Sequence, residues 1–418
     1  MSNADAIPDF LRLSQVPVNY LQKVETSVLD PVVFNEGSGS TVDGFIRFTL
    51  QRKGFLHSHS KLFLSLTPAS AVSRAIYPAN VGIGSIIKTA VLKIGNKVLN
   101  EISDWDYLHS FKSANITNEN NVERELYTTG RYMNHSEVAP DYTLDTGRDI
   151  DADDRKMLPF AIMDGGSPTE SPSYAIDLSD LFPFLKVHSL PLYMIDEPIN
   201  IELTLRPPVN HRIAKITGTA EQSFLIDRNE LRFVADYIYY GSGDEMEAFA
   251  QKNKEMSFSF VDYRLSTTSA SVGQLQSGMV RNIGMANRMV TNILTVFNTD
   301  RSGEDSLLAN IGSVSTAVEG AGANVGKLGT ISYNVRYNDL FEFSSNISNL
   351  ARLFSLTQDS QGVVFVTRDE FCGQGGGLSP TTTFEGLNQV TNLQGKFFLL
   401  ATKLTGGRVG TRGLELHV

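Results

Sequence analysis

Three runs inside the stretch from Leu190 to Phe258 decide the fold: Ile199-Asn200-Ile201-Glu202-Leu203-Thr204-Leu205, then Leu231-Arg232-Phe233-Val234-Ala235-Asp236-Tyr237-Ile238-Tyr239-Tyr240, then Asp244-Glu245-Met246-Glu247-Ala248-Phe249-Ala250-Gln251-Lys252-Asn253. The first two alternate in polarity or are rich in β-branched and aromatic side chains, the pattern of strands. The third places Asp244, Glu245 and Glu247 in its first turn, where they complement the positive end of a helix dipole. Final strands, a short helix and a fresh apolar run from Phe258 predict the end of one β-rich unit and the start of another. The boundary then falls at about 243–254, later than the Pro207-Pro208 pair that punctuation alone selects.

Working outward, the first half offers strands at Phe45–Leu50, Lys61–Leu66 and Ala90–Ile94. The last of these leads through a Gly95-Asn96 turn to Lys97–Ile102, a hairpin whose turn residues tolerate positive φ. The second half offers Phe258–Leu265, Val290–Phe297, Ile331–Tyr337, Val363–Thr367 and Phe397–Leu404. Besides Asp244–Asn253, short helices are expected at Asn120–Thr128 and Ser348–Phe354. Many strands with sparse helices point to sandwiches rather than a parallel α/β sheet. Two long polar segments, His109–Pro172 and Asp300–Gly329, read as excursions from that scaffold.

The 418 residues suit two domains, and 41% hydrophobic with 20% charged residues is a globular composition. No apolar run approaches the roughly 18–20 residues of a membrane helix. Met1 to Asp9 lacks a basic flank and an apolar core, so no signal peptide is expected. One cysteine, Cys372, excludes an internal disulfide framework and points to a reducing compartment. A net charge of -10 and an N-terminus without a basic arm disfavour direct packaging of nucleic acid, which relies on clustered Lys and Arg.

Motifs for chemistry fall short of their patterns. Asp149, Asp151 and Asp153 are spaced like the start of an EF-hand loop, but Asp154 stands at the glycine position and Phe160 at the bidentate glutamate. His57 and His59 flank Ser58 without further zinc ligands, so they read as a turn pair. Gly322-Ala323-Asn324-Val325-Gly326-Lys327-Leu328 has three residues between its glycines where a phosphate loop has four, and Leu328 cannot hold magnesium. Cys372 beside Gly373 has no identifiable base, and Gly37-Ser38-Gly39 is a degenerate nucleophile motif that precedes a strand. Asn115, Asn134 and Asn346 begin sequons that read as chance. Trp105, the lone tryptophan, is expected to anchor packing. No catalytic, cofactor-binding or metal residue is therefore assigned.

Three collinear groups of segments resemble the double-jelly-roll major capsid proteins of eukaryotic double-stranded DNA viruses, such as nucleocytoplasmic large DNA viruses, virophages and Polinton-like viruses. The first is Leu92-Lys93-Ile94-Gly95-Asn96-Lys97-Val98 followed by Asp104-Trp105-Asp106-Tyr107. The second is Leu181-Phe182-Pro183-Phe184, Leu190-Pro191-Leu192 and Ile199-Asn200-Ile201-Glu202-Leu203. The third is Asp236-Tyr237-Ile238-Tyr239, Asp244-Glu245, Phe249-Ala250-Gln251 and Glu255. Arg336-Tyr337-Asn338-Asp339 and Leu404-Thr405-Gly406-Gly407 match more loosely, so the resemblance covers about half the chain.

The resemblance implies an all-β protein of two consecutive eight-stranded antiparallel jelly-roll barrels, with short helices in loops and between the barrels. The expected divisions are an N-terminal arm (1–19), a first jelly roll (20–242), a connecting helix (243–254) and a second jelly roll (255–418). It implies no enzyme and no cofactor. The implied role is a homotrimeric, pseudo-hexameric capsomer tiling an icosahedral virion. Its implied partners are neighbouring capsomers, penton and minor capsid proteins, with room for contact to an internal membrane and no sequence-specific nucleic-acid binding. Synthesis would be cytoplasmic, and assembly cytoplasmic or nuclear. A two-domain β-sandwich that binds carbohydrate is the rival reading, and a β-sandwich glycosidase with paired carboxylates the third.

Overall fold

The computed structural model describes residues 22–36, 41–68, 74–78, 82–116, 122–130, 157–164, 167–168, 173–186, 189–205, 214–215, 224–227, 230–240, 243–252, 261–267, 279–283, 289–296, 332–337, 340–347, 349–362, 399–409 and 414–417. Side chains alternating between core and surface build the first unit, since β-branched and aromatic groups fill a pleated, half-buried surface. Its strands are β1 (Gln22–Leu29), β2 (Val32–Glu36), β3 (Thr41–Leu50), β4 (Phe55–Leu56), β5 (Lys61–Pro68), β6 (Arg74–Pro78), β7 (Ile87–Ile94) and β8 (Lys97–Ser103). They continue with β9 (Met157–Asp164), β10 (Ser167–Pro168), β11 (Ser173–Asp177), β12 (Leu190–Pro191), β13 (Ile199–Leu205), β14 (Ala214–Lys215), β15 (Phe224–Asp227) and β16 (Arg232–Tyr240).

Eight of these form two antiparallel ladders. One runs β1-β16-β5-β11 and the other β3-β13-β7-β8. Lettered B to I in chain order, the ladders read B-I-D-G and C-H-E-F. That order is a jelly roll, two Greek keys wrapped on each other. β15 pairs with both β5 and β3, joining the two ladders along one side.

The core lies between the ladders. Phe48, Ile201 and Leu92 are register partners across β3, β13 and β7, and all three are fully buried. From the facing ladder, Phe233 brings its ring centroid to 5.7 Å from that of Phe48. Tyr237, four residues on, accepts a hydrogen bond from the Gln51 backbone N–H at 3.1 Å, so a buried hydroxyl also ties the sheets. Glu202 is buried in the middle of β13 and is compensated there by an ion pair with Lys93 of β7.

The two ends of this barrel differ. The C-to-D and E-to-F connections are short, and the longer G-to-H connection is hydrogen-bonded back to both, through Leu178 to Ser60 and through Pro198 to Gly95. Gly95 takes φ 56° in the expected two-residue turn between β7 and β8, and its N–H reaches the Pro198 carbonyl at 2.8 Å. At the other end the D-to-E, F-to-G and H-to-I connections supply β6, β9 with β10, and β14. These knit into a separate sheet, β10-β9-β6-β14.

That sheet gives the His109–Pro172 excursion structure of its own: the segment contains most of helix α1 (Trp105–Ile116), helix α2 (Val122–Thr129) where a short helix was expected, β9 and β10. Trp105 sits at the start of α1 with 1% of its surface exposed, stacked on His109 at 4.4 Å. Its indole N–H donates to the carbonyls of Asp180 and Leu181, both at 3.2 Å. The anchoring role expected of the lone tryptophan is what the geometry gives. Helix α3 (Leu178–Leu181) follows β11, and helix α4 (Gly243–Lys252) follows β16 where the acidic first turn predicted it.

The second unit contains β17 (Val280–Asn282), β18 (Met289–Val296), β19 (Asn334–Tyr337), β20 (Leu340–Phe341), helix α5 (Leu350–Gln361), β21 (Leu399–Val409) and β22 (Leu414–His417). Its final strand again inserts between earlier ones, in the order β17-β22-β19-β20, while β18 pairs with β21. The same lettering makes these B-I-D and C-H, the first unit's arrangement repeated among the described residues. Here too a buried tyrosine spans the sheets: the Tyr333 hydroxyl, beside β19, lies 2.8 Å from that of Thr402 on β21. The chain is thus all-β, two jelly rolls in succession.

Some expectations need adjusting. Phe258–Leu265 was expected as a strand, but its described part, from Val261, joins no ladder. The α5 helix runs on to Gln361, past the expected Ser348–Phe354, because Thr357 turns inward and accepts from the Ala401 N–H at 3.4 Å. Val363–Thr367 and Asp300–Gly329 lie outside the described residues, as does the arm at 1–19.

Gly84 packs against the Trp105 ring so closely that a Cβ there would come to 2.8 Å of Cζ3. The ring cannot yield, being stacked and hydrogen-bonded, so Gly84→Ala is expected to cost about 1–3 kcal/mol. A lowered urea midpoint for the first unit would register it.

Candidate assembly surface

Of the residues singled out for chemistry, Asp149, Asp151, Asp153, Gly322–Leu328, Cys372, Gly37–Gly39 and Asn134 lie outside the described residues. His57 and His59 do form a turn pair, between β4 and β5, with the His59 N–H donating to His57 Nδ1 at 3.1 Å. No group of three or more metal-ligating side chains occurs among the described residues. Asn346 accepts from the Asn334 amide at 3.1 Å, which helps fold the turn after β20. Asn115 falls within α1.

What the structure brings together instead is apolar surface on strand edges. Among the described residues β1 pairs only with β16, so it borders its sheet, and Val24 and Val28 on its outward face are 59% and 61% exposed. Val98 is exposed on β8, the opposite border of the other sheet. The second unit shows the same placement, with Val280 on border strand β17 and Leu340 and Phe341 on border strand β20. Each of these border strands leaves at least one large apolar side chain in water. An exposed edge carrying apolar side chains is a surface suited to association. Sequence patterning missed this because alternation reports that a strand has two faces, not whether the outer one is covered.

Charge limits what such edges accept. Beside Val24 and Val28, Glu25 is ion-paired to Lys53 and accepts from the Tyr239 hydroxyl at 3.1 Å. These partners hold the Glu25 carboxyl below its usual range, Lys53 contributing most. Burial, and then Glu25 itself, push Tyr239 up to about 12. Asp30 and Arg232 pair at 3.2 Å at the end of the same ladder. Fixed charges at an edge discourage indiscriminate strand addition and favour a partner of matching pattern.

Residues 261–265, a strap in the segment that follows α4 in the sequence, lie on the first unit. Asp262 accepts from the Asn100 amide at 2.9 Å, and Tyr263 takes the Lys112 ammonium on its hydroxyl, with Lys112 Nζ 4.5 Å from the ring centre. Val261 and Leu265 on this strap are exposed. Burial, reinforced by Lys186, depresses Lys112 to about 8. Burial also raises the Tyr263 phenol.

No family model matches the sequence, and no curated protein matches it significantly. Among solved structures, the chain is similar to the PBCV-1 virus capsid, with 13% identity over 95% of this chain and 84% of that one at a TM-score of 0.49. It is similar to the Faustovirus major capsid protein, with 9% identity over 95% and 89% of the two chains at a TM-score of 0.45. For the mavirus major capsid protein the figures are 10% identity, 94% and 82% coverage and a TM-score of 0.41. The fold rests on the chain's own ladders, and these likenesses stand beside it.

The strap contact has a pH signature. Folding disfavours the Lys112 ammonium, so the unfolded chain binds more protons between the folded value of about 8 and the ordinary 10.5. The penalty is complete below about 8 and is relieved as pH climbs, until the Tyr263 phenol begins to ionise in the unfolded chain near its ordinary 10.0 and reverses the trend. Denaturant midpoints are expected to rise from about pH 8 to about pH 10, and Lys112→Met should flatten that rise.

Proposed function

We propose that this chain is the major capsid protein of a double-stranded DNA virus, acting as a homotrimeric, pseudo-hexameric capsomer in an icosahedral shell. The observation that carries the reading is the repetition of one strand order in two successive units. Two similar units in one chain, taken three times around an axis, give six lobes, and six lobes tile a surface. The collinear motifs support it as well. Gly95-Asn96 forms the hairpin turn, Asp104-Trp105 opens α1, and Asp244-Glu245 opens the helix after the first barrel. Apolar strand borders supply surface for copies of the chain to meet.

On this reading the divisions are an arm at 1–19, jelly rolls at 20–242 and 255–418, and a connecting helix at 243–254. The partners are further capsomers, penton and minor capsid proteins, and the location is the virion. A charge of -10 suits a shell protein that leaves the genome to other components.

Light scattering should return a stable particle of three times the 45.9 kDa chain, with a hexagonal outline in negative stain. A monomer that retains glycan would overturn the reading in favour of a carbohydrate-binding sandwich. Replacing Leu340 and Phe341 with serine should weaken association between copies while moving folding stability by no more than about 0.5 kcal/mol, since both side chains are exposed. Deleting residues 1–15 is expected to impair capsomer-to-capsomer assembly more than trimer formation, and unaltered assembly would remove the arm from the account.

A further inference from the structure

The tight end of the first barrel holds a cluster that the assembly reading does not use. Between β4 and β5 the chain turns through His57, Ser58, His59 and Ser60, and this turn fastens two other elements. The His57 N–H donates to the Asp236 carbonyl of β16 at 2.8 Å, and the Asp236 N–H donates back to the Ser60 hydroxyl at 3.0 Å. At the start of α3, the Leu178 N–H donates to the Ser60 carbonyl at 2.7 Å and the Ser179 N–H to the Ser58 carbonyl at 3.0 Å. Ser60 is fully buried and closes the turn through its own N–H and hydroxyl, both donating to the His57 carbonyl. The D, I and G ends of the sheet therefore meet at one corner.

The corner needs one imidazole to be neutral. His57 Nδ1 accepts the His59 N–H, and a nitrogen that carries a proton has no lone pair to offer. The two rings lie 5.2 Å apart between centroids, so a charge on either opposes a charge on the other. The remaining charged groups facing the pair are Asp236 from β16, Asp177 from the end of β11 and Lys61 from β5. Asp177 is 3.5 Å from His59 Nδ1 and is already paired with Lys61, while Asp236 accepts from the Thr26 hydroxyl at 2.6 Å. Asp177 is thus shared with Lys61, while Asp236 favours a charged His57 but less than burial and His59 oppose it.

We propose that the His57–His59 turn is an acid-sensitive latch: protonation of His57 withdraws the acceptor of the His59 N–H inside the turn and loosens the joined ends of β5, β11 and β16. The direction agrees with the ring's own titration, which burial and the neighbouring His59 push below the ordinary 6.5. With a depressed folded value, the latch contributes its full stability above 6.5 and loses it as pH falls below that. It belongs to the first barrel and stands whether or not the shell reading does.

Hydrogen exchange followed by mass spectrometry on the full chain tests it, with labelling times scaled for intrinsic rates at about pH 7.5 and about pH 5, a window that spans histidine's charge change. Peptides covering 57–60, 178–179 and 236 should lose protection by about tenfold in acid, the effect of losing one hydrogen bond, while the β7–β8 hairpin holds. His57→Asn supplies a neutral acceptor in place of Nδ1 and should keep the corner protected at both pH values. His59→Gln removes the opposing charge and should raise the His57 titration, read from exchange of the imidazole C2 proton. Protection that is insensitive to acid in the native chain would overturn the latch. Equal acid loss in His57→Asn, or a His57 titration at or above the ordinary value, would overturn it too. Should His57→Asn lack protection at about pH 7.5, the shift in His59→Gln decides the matter alone.

Discussion

The ladder between β1 and β16 is the constraint on which the first barrel depends. It pairs Gln22 with Tyr240 and runs without interruption to Leu29 with Phe233, joining the first strand of the unit to its last. Strand I must enter between B and D, so the B-I-D-G sheet is not complete until the whole unit has been made. Contacts so distant in sequence carry the loop-closure cost that slows β-sandwich folding. They also fix register, because a one-residue slip of β16 would turn Phe233, Ala235 and Tyr237 out of the core and Asp236 into it. The Phe48–Phe233 contact and the Tyr237 bond to Gln51 both rest on that register.

From the same topology comes the contrast between the barrel's ends. Short C-to-D and E-to-F connections leave little slack, and backbone hydrogen bonds tie the longer G-to-H connection to both, as from Gly95 to Pro198 and from Leu178 to Ser60. The opposite connections are long and pair with one another in the β10-β9-β6-β14 sheet. A sandwich can carry elaboration at one end without disturbing its core, since those strands never enter the inter-sheet space. Polar chemistry is divided the same way: the histidine turn sits where the chain is tight.

Much of this was legible in the sequence because period-two patterning and turn chemistry are local. β13 declares itself through Ile199, Ile201, Leu203 and Leu205, the hairpin through Gly95-Asn96, and α4 through its acidic first turn. Helix α1 was not legible as a helix. Trp105 and Ser113 are buried there among polar residues, so no clean apolar stripe forms and its stability comes from tertiary contacts such as the indole bonds to α3. Val261, Tyr263 and Leu265 alternate like a strand, yet the strap spends Tyr263 on Lys112 and joins no ladder. Alternation specifies two faces and is silent on whether a hydrogen-bonding neighbour exists. The edge surface was hidden for the same reason, since Val24 and Val28 look like core until the pairing of β1 leaves them outside.

Because β1 and β16 lie side by side, the barrel begins and ends at the same border. A module whose termini are neighbours can be copied in tandem with little intervening chain, since neither end must be carried around the body to meet the next copy. Among the described residues, the joint between the last strand of one unit and the strap of the next holds a ten-residue helix. Duplication of a gene encoding one such barrel would therefore yield a foldable double at the first attempt, each half closing on its own ladder. The two copies would then be free to diverge in their long connections while keeping a common strand order.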